Sequence, residues 1–277
     1  MIIKITGSSG YLGNLISKEI DSTEHSVSGI DRKFLYGSVD NLKDVISGTD
    51  VLINLAGAPI LQRWTAKNRK VIYYSRVETT RNIVKAINAL SPDDRPEKIV
   101  SASAIGIYEA GKNHDELSKE YDTGFVGKVV KDWENAWDGL PESVYLSVFR
   151  IGLVLGKGAS TIKKLMLPFK MGFGGKIGSG TQPFPFVHEK DVARAFKWAV
   201  DNKNKTGVFN LVAPQNISNA LFTKAFATTL SRPAFIPVPE IALQIVFGKA
   251  AVLITQSPEV EPSNLISEDF TFNYPTI

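Results

Sequence analysis

The chain is 277 residues long, carries a formal net charge of +4, is 43% hydrophobic and 22% charged, and contains no cysteine. Such a length holds one large α/β domain, or one domain with a smaller lobe, and the composition is that of an ordinary globular protein. Disulfides, thiolate catalysis and cysteine-ligated metals are excluded, three isolated histidines argue against any metal site, and no apolar run approaches the ~20 residues needed to span a bilayer.

IIKITG (2–7) is a short apolar run stopped by glycine and reads as a buried strand. YLGNLISKEI (11–20) follows with the apolar spacing of a helix, and HSVSGID (25–31) is a second strand closed by an acid. DVLINLAG (50–57) is a third buried strand, and one long helix is expected around 65–90. KIVSASAIG (98–106) is a further strand, VVKDWENAW (129–137) a helix, and VYLSVFRIGLVLG (144–156) a strand. Residues 157–187 are rich in Gly, Lys, Phe and Pro and read as loop and short helix. DVARAFKWAVDN (191–202) is a helix, with Asp191 as its expected N-cap, and GVFNLVA (207–213) is a strand. Strands alternating with helices imply parallel βαβ units with right-handed crossovers. The expected division is a main α/β domain over 1–156 and 188–212 and a smaller lobe over 157–187 and 213–277.

The turn Gly7-Ser8-Ser9-Gly10-Tyr11-Leu12-Gly13 joins the first strand to the first helix. Gly7 permits a tight turn, Gly10 lets the backbone approach a pyrophosphate, and Gly13 lets helix and strand pack closely. The pyrophosphate then sits on the N-terminus of the helix, where free N–H groups and the dipole favour negative charge. Together these features point to a Rossmann-type, doubly wound α/β fold binding NAD or NADP. Asp31 is placed to accept hydrogen bonds from an adenosine ribose, which leans towards NAD, whereas Arg32 suits the 2′-phosphate of NADP.

Two basic stretches lack any acid. One, between Asp50 and Glu78, holds Arg63, Arg69 and Arg76; the other, between Glu142 and Glu189, holds Lys157 and five further cations. They could line one cleft for an anionic small molecule, against the plainer alternative of solvated surface. Arg69, Tyr73, Arg76 and Thr80 recur at helical spacing, a face for an anion or for a second copy of the chain in a homodimer. No nucleic-acid motif is present. The setting expected is cytoplasmic.

With its glycine turn, NLAG (54–57) at the end of a strand and a serine-bearing strand, the chain resembles the extended short-chain dehydrogenase/reductase superfamily, and the resemblance implies that Leu55, Ala56 and Gly57 lie beside the cofactor. INLAGAPI, SRVETTRNIV, SASAIGIY, GFGGKIGSG and FTFNYPT further resemble proteins of the nucleoside-diphosphate-sugar epimerase type. The resemblance implies NAD(P) binding, a C-terminal lobe closing over substrate, and a branch whose members generally lack the superfamily's Tyr-xxx-Lys acid/base pair. Tyr108 and Lys112 have that spacing, but Gly111 discourages the helix that would put them on one face. Aligning the following helix on Glu134 instead puts Val126 and Val130 at the Tyr and Lys positions.

Ser103 matches the superfamily's substrate-bonding serine, with a core role as the alternative, and Tyr108 is a candidate contact to substrate from its loop. Arg63, Arg76, Lys157 and His188 are candidates for substrate binding, His188 as a proton carrier or as a structural histidine. Two functions remain open: an oxidoreductase or epimerase transferring hydride with a non-tyrosine acid/base, and a non-catalytic NAD(P)-binding sensor or scaffold.

Overall fold

The computed structural model describes residues 1–21 and 24–277. The strands are β1 (Ile2–Thr6), β2 (Ser26–Ile30), β3 (Val51–Asn54), β4 (Lys98–Ala104), β5 (Asn113–His114), β6 (Tyr145–Ile151), β7 (Leu153–Leu155), β8 (Phe186–His188), β9 (Gly207–Leu211) and β10 (Glu259–Val260). The helices are α1 (Tyr11–Ile20), α2 (Arg32–Leu35), α3 (Val39–Ile46), α4 (Ala66–Tyr74), α5 (Val77–Asn88), α6 (Phe125–Asn135), α7 (Ser160–Lys170), α8 (Glu189–Asp201), α9 (Asn219–Thr229), α10 (Glu240–Phe247), α11 (Val252–Thr255) and α12 (Ser263–Ser267).

Six strands form one parallel sheet in the order β2-β1-β3-β4-β6-β9. The period-2 alternation of the strands feeds two cores. Ile3, Ile5, Ile53 and Val100 pack with α1 and α8 through Ile16, Ile20 and Phe196. Leu52 and Ile99 face the other way and pack with α3 and α5 through Leu42, Ile46, Ile83 and Ile87. The chain leaves β1 in one direction to β2 and returns to β3 on the other side, so a crevice opens at the C-terminal ends of β1 and β3.

Several boundaries differ from the sequence expectation, each for a local reason. The helix expected around 65–90 is two helices: Arg76 has φ −115° and ψ −63°, and its N–H bonds Tyr73 O in a tightened turn. This scatters the expected stripe. Tyr73 donates to Asp132 at 3.0 Å and Thr80 accepts from Asn54 at 3.2 Å, while Arg69 and Arg76 face a cleft. The expected strand 144–156 breaks at Gly152, after which β7 pairs with β8 outside the main sheet. Asp191 does not cap α8; His188 does, accepting from Lys190 N at 3.3 Å. The Asp191 carboxylate is fully buried and instead holds the C-terminal tail through Asn273 N (2.9 Å) and Tyr274 N (2.8 Å).

The lobe has its own core of Ile162, Phe184, Phe186, Ile217 and Phe222. Its expected C-terminal part divides in two. Residues from Glu259 onward return to the main body: β10 pairs with β5, and Leu265, Phe270 and Phe272 enter the core beside α8. No helix among the described residues is long and apolar enough to cross a membrane.

Candidate functional site

The glycine turn closes as its sequence requires. Gly7 has φ +70°, a conformation L side chains rarely adopt, and a Cβ at Gly13 would lie 2.3 Å from Gly7 O and 2.7 Å from Ser8 Cα. Gly10 is the N-cap of α1 and no side chain caps that helix, which leaves its first-turn N–H groups for a ligand. Ser8 packs against Gly29 of β2, whose lack of a side chain makes the room. Ser9 is exposed, and Leu12 packs against the core. The Tyr11 ring lies against Gly156 and Gly158, so the exposed Lys157 between them sits on the loop that covers the start of α1. These contacts fit the residues to a dinucleotide pyrophosphate: a tight turn that admits no side chain at Gly7 or Gly13, an uncapped helix end and a nearby cation.

Asp31 follows β2, is exposed, and accepts from Lys33 N at 2.9 Å through Oδ1 as the cap of α2. Its Oδ2 has no partner among the described residues. The Arg32 guanidinium lies 5.2 Å from the centre of the Tyr36 ring.

Across the crevice, Thr6 Oγ1 donates to Asn54 Oδ1 (2.7 Å) and accepts from Leu55 N (3.1 Å) and Ala56 N (3.2 Å). This buried lattice fixes where the chain leaves β3. Gly57 follows, and a Cβ there would lie 3.1 Å from the Arg76 guanidinium, so the two are in close contact. Arg76 is half-buried, donates to Ile72 O at 3.3 Å, lies 5.4 Å from the Trp133 ring, and has no carboxylate partner among the described residues. Burial pulls its pKa down to about 10, which leaves it cationic at neutral pH.

Gly57 and Arg76 form part of the wall of a cleft of about 1370 Å³. The cleft runs from the C-terminal ends of β4 and β6 to α7, α9 and α10 of the lobe. Val126 of α6 lines it, and Val130 one turn on is buried in the same apolar cluster. Asp122 is the one carboxylate lining the cleft among the described residues. Its Oδ2 accepts from Gly127 N at 2.8 Å, and nothing in its sequence context had marked it except the DTGFVG run that opens α6.

Ser103 and Tyr108 are joined in one buried network. Ser103 donates to Glu134 Oε1 at 2.6 Å, and Glu134 pairs both oxygens with Arg150 (2.9 and 2.7 Å). Arg150 Nη1 donates to the Tyr108 hydroxyl at 2.7 Å, which also lies 2.8 Å from Asn210 Oδ1 and 2.9 Å from Asp115 O. Tyr108 is 2% exposed; burial raises its pKa, with Arg150 acting the other way. Lys112 points outward to Glu109 (2.9 Å) and Glu120 (3.6 Å), so the two do not share a face.

The remaining candidates lie apart from the cleft wall. Arg63 donates to the carbonyls of Val246 (3.1 Å) and Ile245, fastening the loop after β3 to the C-terminal end of α10. His188 caps α8 and stacks on Tyr274 at 3.7 Å, and burial lowers its pKa.

Comparison with known proteins agrees with this geometry. The family model for the NAD dependent epimerase/dehydratase family matches residues 3–128, and a domain of unknown function, DUF1731, matches 238–277. The epimerase family protein SDR39U1 of Bos taurus is 33% identical over all of this chain and 97% of its own. The crystal structure of human SDR39U1 (isoform 2) with NADPH superposes with a TM-score of 0.92 at 32% identity, covering 100% of this chain and 96% of that one. A nucleoside-diphosphate sugar epimerase from Corynebacterium glutamicum gives 0.76 at 26% identity, covering 100% and 56%. A parallel sheet with the glycine turn at its switch point and full-length relatives above 30% identity lead to one assignment: the chain belongs to the NAD-dependent epimerase/dehydratase family.

Proposed function

We propose that the chain is an oxidoreductase or epimerase that binds a nicotinamide dinucleotide across the C-terminal ends of β1 and β3 and acts on a small anionic substrate in the adjoining cleft. One observation carries this reading. A half-buried guanidinium, Arg76, faces the cleft beside the Gly57 backbone, with no carboxylate among the described residues to neutralise it. A desolvated cation without a counter-charge is unfavourable unless an anion completes the site.

When bound, the nicotinamide supplies the hydride chemistry. The first turn of α1 and Lys157 hold phosphate, Leu55 to Gly57 present backbone to the cofactor, and Arg76 orients the anionic end of the substrate. Asp122 holds or releases the proton at Oδ1, the oxygen left open while Gly127 N–H fixes the other. Ser103 and Tyr108 act through Glu134 and Arg150 as positioning groups that tie β4 to α6 and β6. Val126 and Val130 contribute apolar wall, so the proton moves without a Tyr-Lys pair.

For the cofactor we favour NAD(H), although the human relative was crystallised with NADPH. The free Oδ2 of Asp31 can accept from a ribose hydroxyl and would repel a 2′-phosphate, and Arg32 is turned onto Tyr36. Calorimetric titration with NADH and NADPH tests the binding claim, and absence of heat with both would sink it. Turnover is read as oxidation of bound NADH by candidate substrates, nucleotide sugars among them.

A second reading, a non-catalytic cofactor sensor, draws on the same network, because the hydroxyls of Ser103 and Tyr108 are both engaged. Tight NADH binding with no substrate able to oxidise it in a single turnover would favour the sensor.

A further inference from the structure

The lining of the cleft carries an inference about substrate class, and it rests on the oxidoreductase reading above. Beyond Arg76, the wall contributed by α7, α9, α10 and the loop after β3 is mainly apolar: Trp64, Leu165, Phe169, Phe222, Leu243 and Phe247 all line it. Three of the polar side chains there are engaged within the protein, while Ser160, Thr161, Thr223, Lys249 and Gln256 add scattered polar groups. Asn219 Oδ1 accepts from Ile177 N (2.8 Å), Gln182 Nε2 donates to Ile177 O (3.2 Å), and Lys164 Nζ donates to Leu61 O (3.1 Å). The Arg69 guanidinium lies 4.4 Å from the Phe125 ring.

A sugar ring carries a hydroxyl on nearly every carbon, and each hydroxyl buried here without a partner would lose affinity. A hydrocarbon body would gain it from every group it takes out of water. The apolar character also continues out of the cleft. Phe173, which lines it, is 62% exposed, and Leu167 and Met171 beside it on and after α7 are 65% and 59% exposed. On α10, whose Leu243 and Phe247 face inward, Ile241 and Ile245 are 66% and 67% exposed. Apolar surface on this scale at the mouth of a cavity marks a recognition site.

We propose that the substrate is amphiphilic: one anionic head group, set against Arg76, on an apolar body that fills the space between α6, α7, α9 and α10. The shared chemistry is a carboxylate or phosphate head with a hydrocarbon tail or ring system, in place of the hydroxyl-rich sugar of a nucleotide sugar.

The test uses the full chain and a series of saturated carboxylates, octanoate, decanoate and dodecanoate, each below its micellar concentration. Neutral decanol serves as the head-group control and UDP-glucose as the sugar arm. Binding is read as displacement of the fluorescent aromatic sulfonate 1-anilinonaphthalene-8-sulfonate, with and without NADH, and NADH binding is titrated separately. The expected result is an affinity that rises about threefold to fourfold per added methylene. Decanoate should exceed decanol, and UDP-glucose should displace nothing. In Arg76→Gln, decanoate should weaken roughly tenfold, to the level of decanol, while decanol stays unchanged. Independence of chain length, or equal binding of decanoate and decanol by the unmodified chain, overturns the proposal, and so does displacement of the probe by UDP-glucose alone. The chain-length series needs no variant, so the proposal stays testable should Arg76→Gln fold poorly. Loss of NADH binding with the carboxylate series intact would instead count against the oxidoreductase reading alone.

Discussion

Tyr108→Phe separates a positioning hydroxyl from a catalytic one. The substitution keeps the ring and its stacking on His114 at 4.7 Å, and it removes one oxygen with three close partners. Arg150 keeps both bonds to Glu134, so the ion pair survives; one guanidinium N–H and the Asn210 amide oxygen lose their partner in a site 2% exposed. An unsatisfied buried polar group costs ~1–3 kcal/mol, and because Arg150 stays paired the middle of that range, about 2 kcal/mol, is expected. At ~2–4 °C per kcal/mol for chains of this size, the melting temperature should fall by about 4–8 °C. Differential scanning fluorimetry measures that shift, and titration of NADH should give an unchanged affinity, because no part of the glycine turn is touched. Turnover with any substrate identified should fall no more than stability explains. A melting temperature within about 1 °C of the unmodified chain, combined with abolished turnover, would refute this reasoning and return Tyr108 to the mechanism.

Three further outcomes follow from the same geometry. Gly13→Ala puts a methyl 2.3 Å from Gly7 O, so the turn must open, and NADH affinity measured by calorimetry should drop at least ~tenfold while the chain remains folded. Asp31→Ser keeps a cap for α2 and removes the charge facing a 2′-phosphate; the ratio of NADPH to NADH affinity should rise, and an unchanged ratio would show that Asp31 does not discriminate. His188 has its pKa lowered by burial from the ordinary 6.5, so the unfolded chain takes up a proton before the folded chain does. Its contribution to stability is therefore complete above about pH 6.5 and is lost as the pH falls through the lower folded value. His188→Asn, which can still cap α8, should flatten that acid-side slope in urea melts.

The main sheet was legible from the sequence because its signals are local. Apolar runs such as IIKIT and VLIN, each ended by a turn, set the strands, and the strict glycine spacing at 7, 10 and 13 located the tight turn between β1 and α1. What escaped depended on contacts far apart in the chain. The break at Arg76 carries no glycine or proline; Ser75 helps hold it, accepting from Ala58 N (2.9 Å) and donating to Ile72 O (3.0 Å), a partnership no helical periodicity encodes. Asp191 looked like a cap because it stands near the start of a helix, yet its partners are Asn273 and Tyr274 at the far end of the chain. Arg63 looked like a ligand for an anion and instead meets carbonyl groups more than 180 residues away. Phe270 and Phe272 read as part of the lobe because sequence proximity cannot show that a tail crosses back to β9 and α8.

The serine and tyrosine of SASAIGIY lie on β4 and in the turn that follows it, and both are tied into a buried ion pair between Glu134 and Arg150. Arg150 is 4% exposed; burial works against its charge, but the hydrogen bonds and attraction of Glu134 outweigh that and raise its pKa, so the guanidinium stays charged. A buried pair of this kind adds little stability over an apolar core, yet breaking it costs ~3–5 kcal/mol, so it holds β4, β6 and α6 in a fixed arrangement. Ser103 and Tyr108 serve as its outer hydrogen-bond partners and are unavailable for proton transfer while it stands. In the mechanism proposed above the proton comes instead from Asp122, the carboxylate that lines the cleft among the described residues, and the orientation from Arg76. Asp122→Asn is the direct check: it preserves the acceptor for Gly127 N–H and should leave NADH affinity unchanged while abolishing hydride transfer to any substrate that requires a proton. Full turnover in that variant would place the proton donor elsewhere.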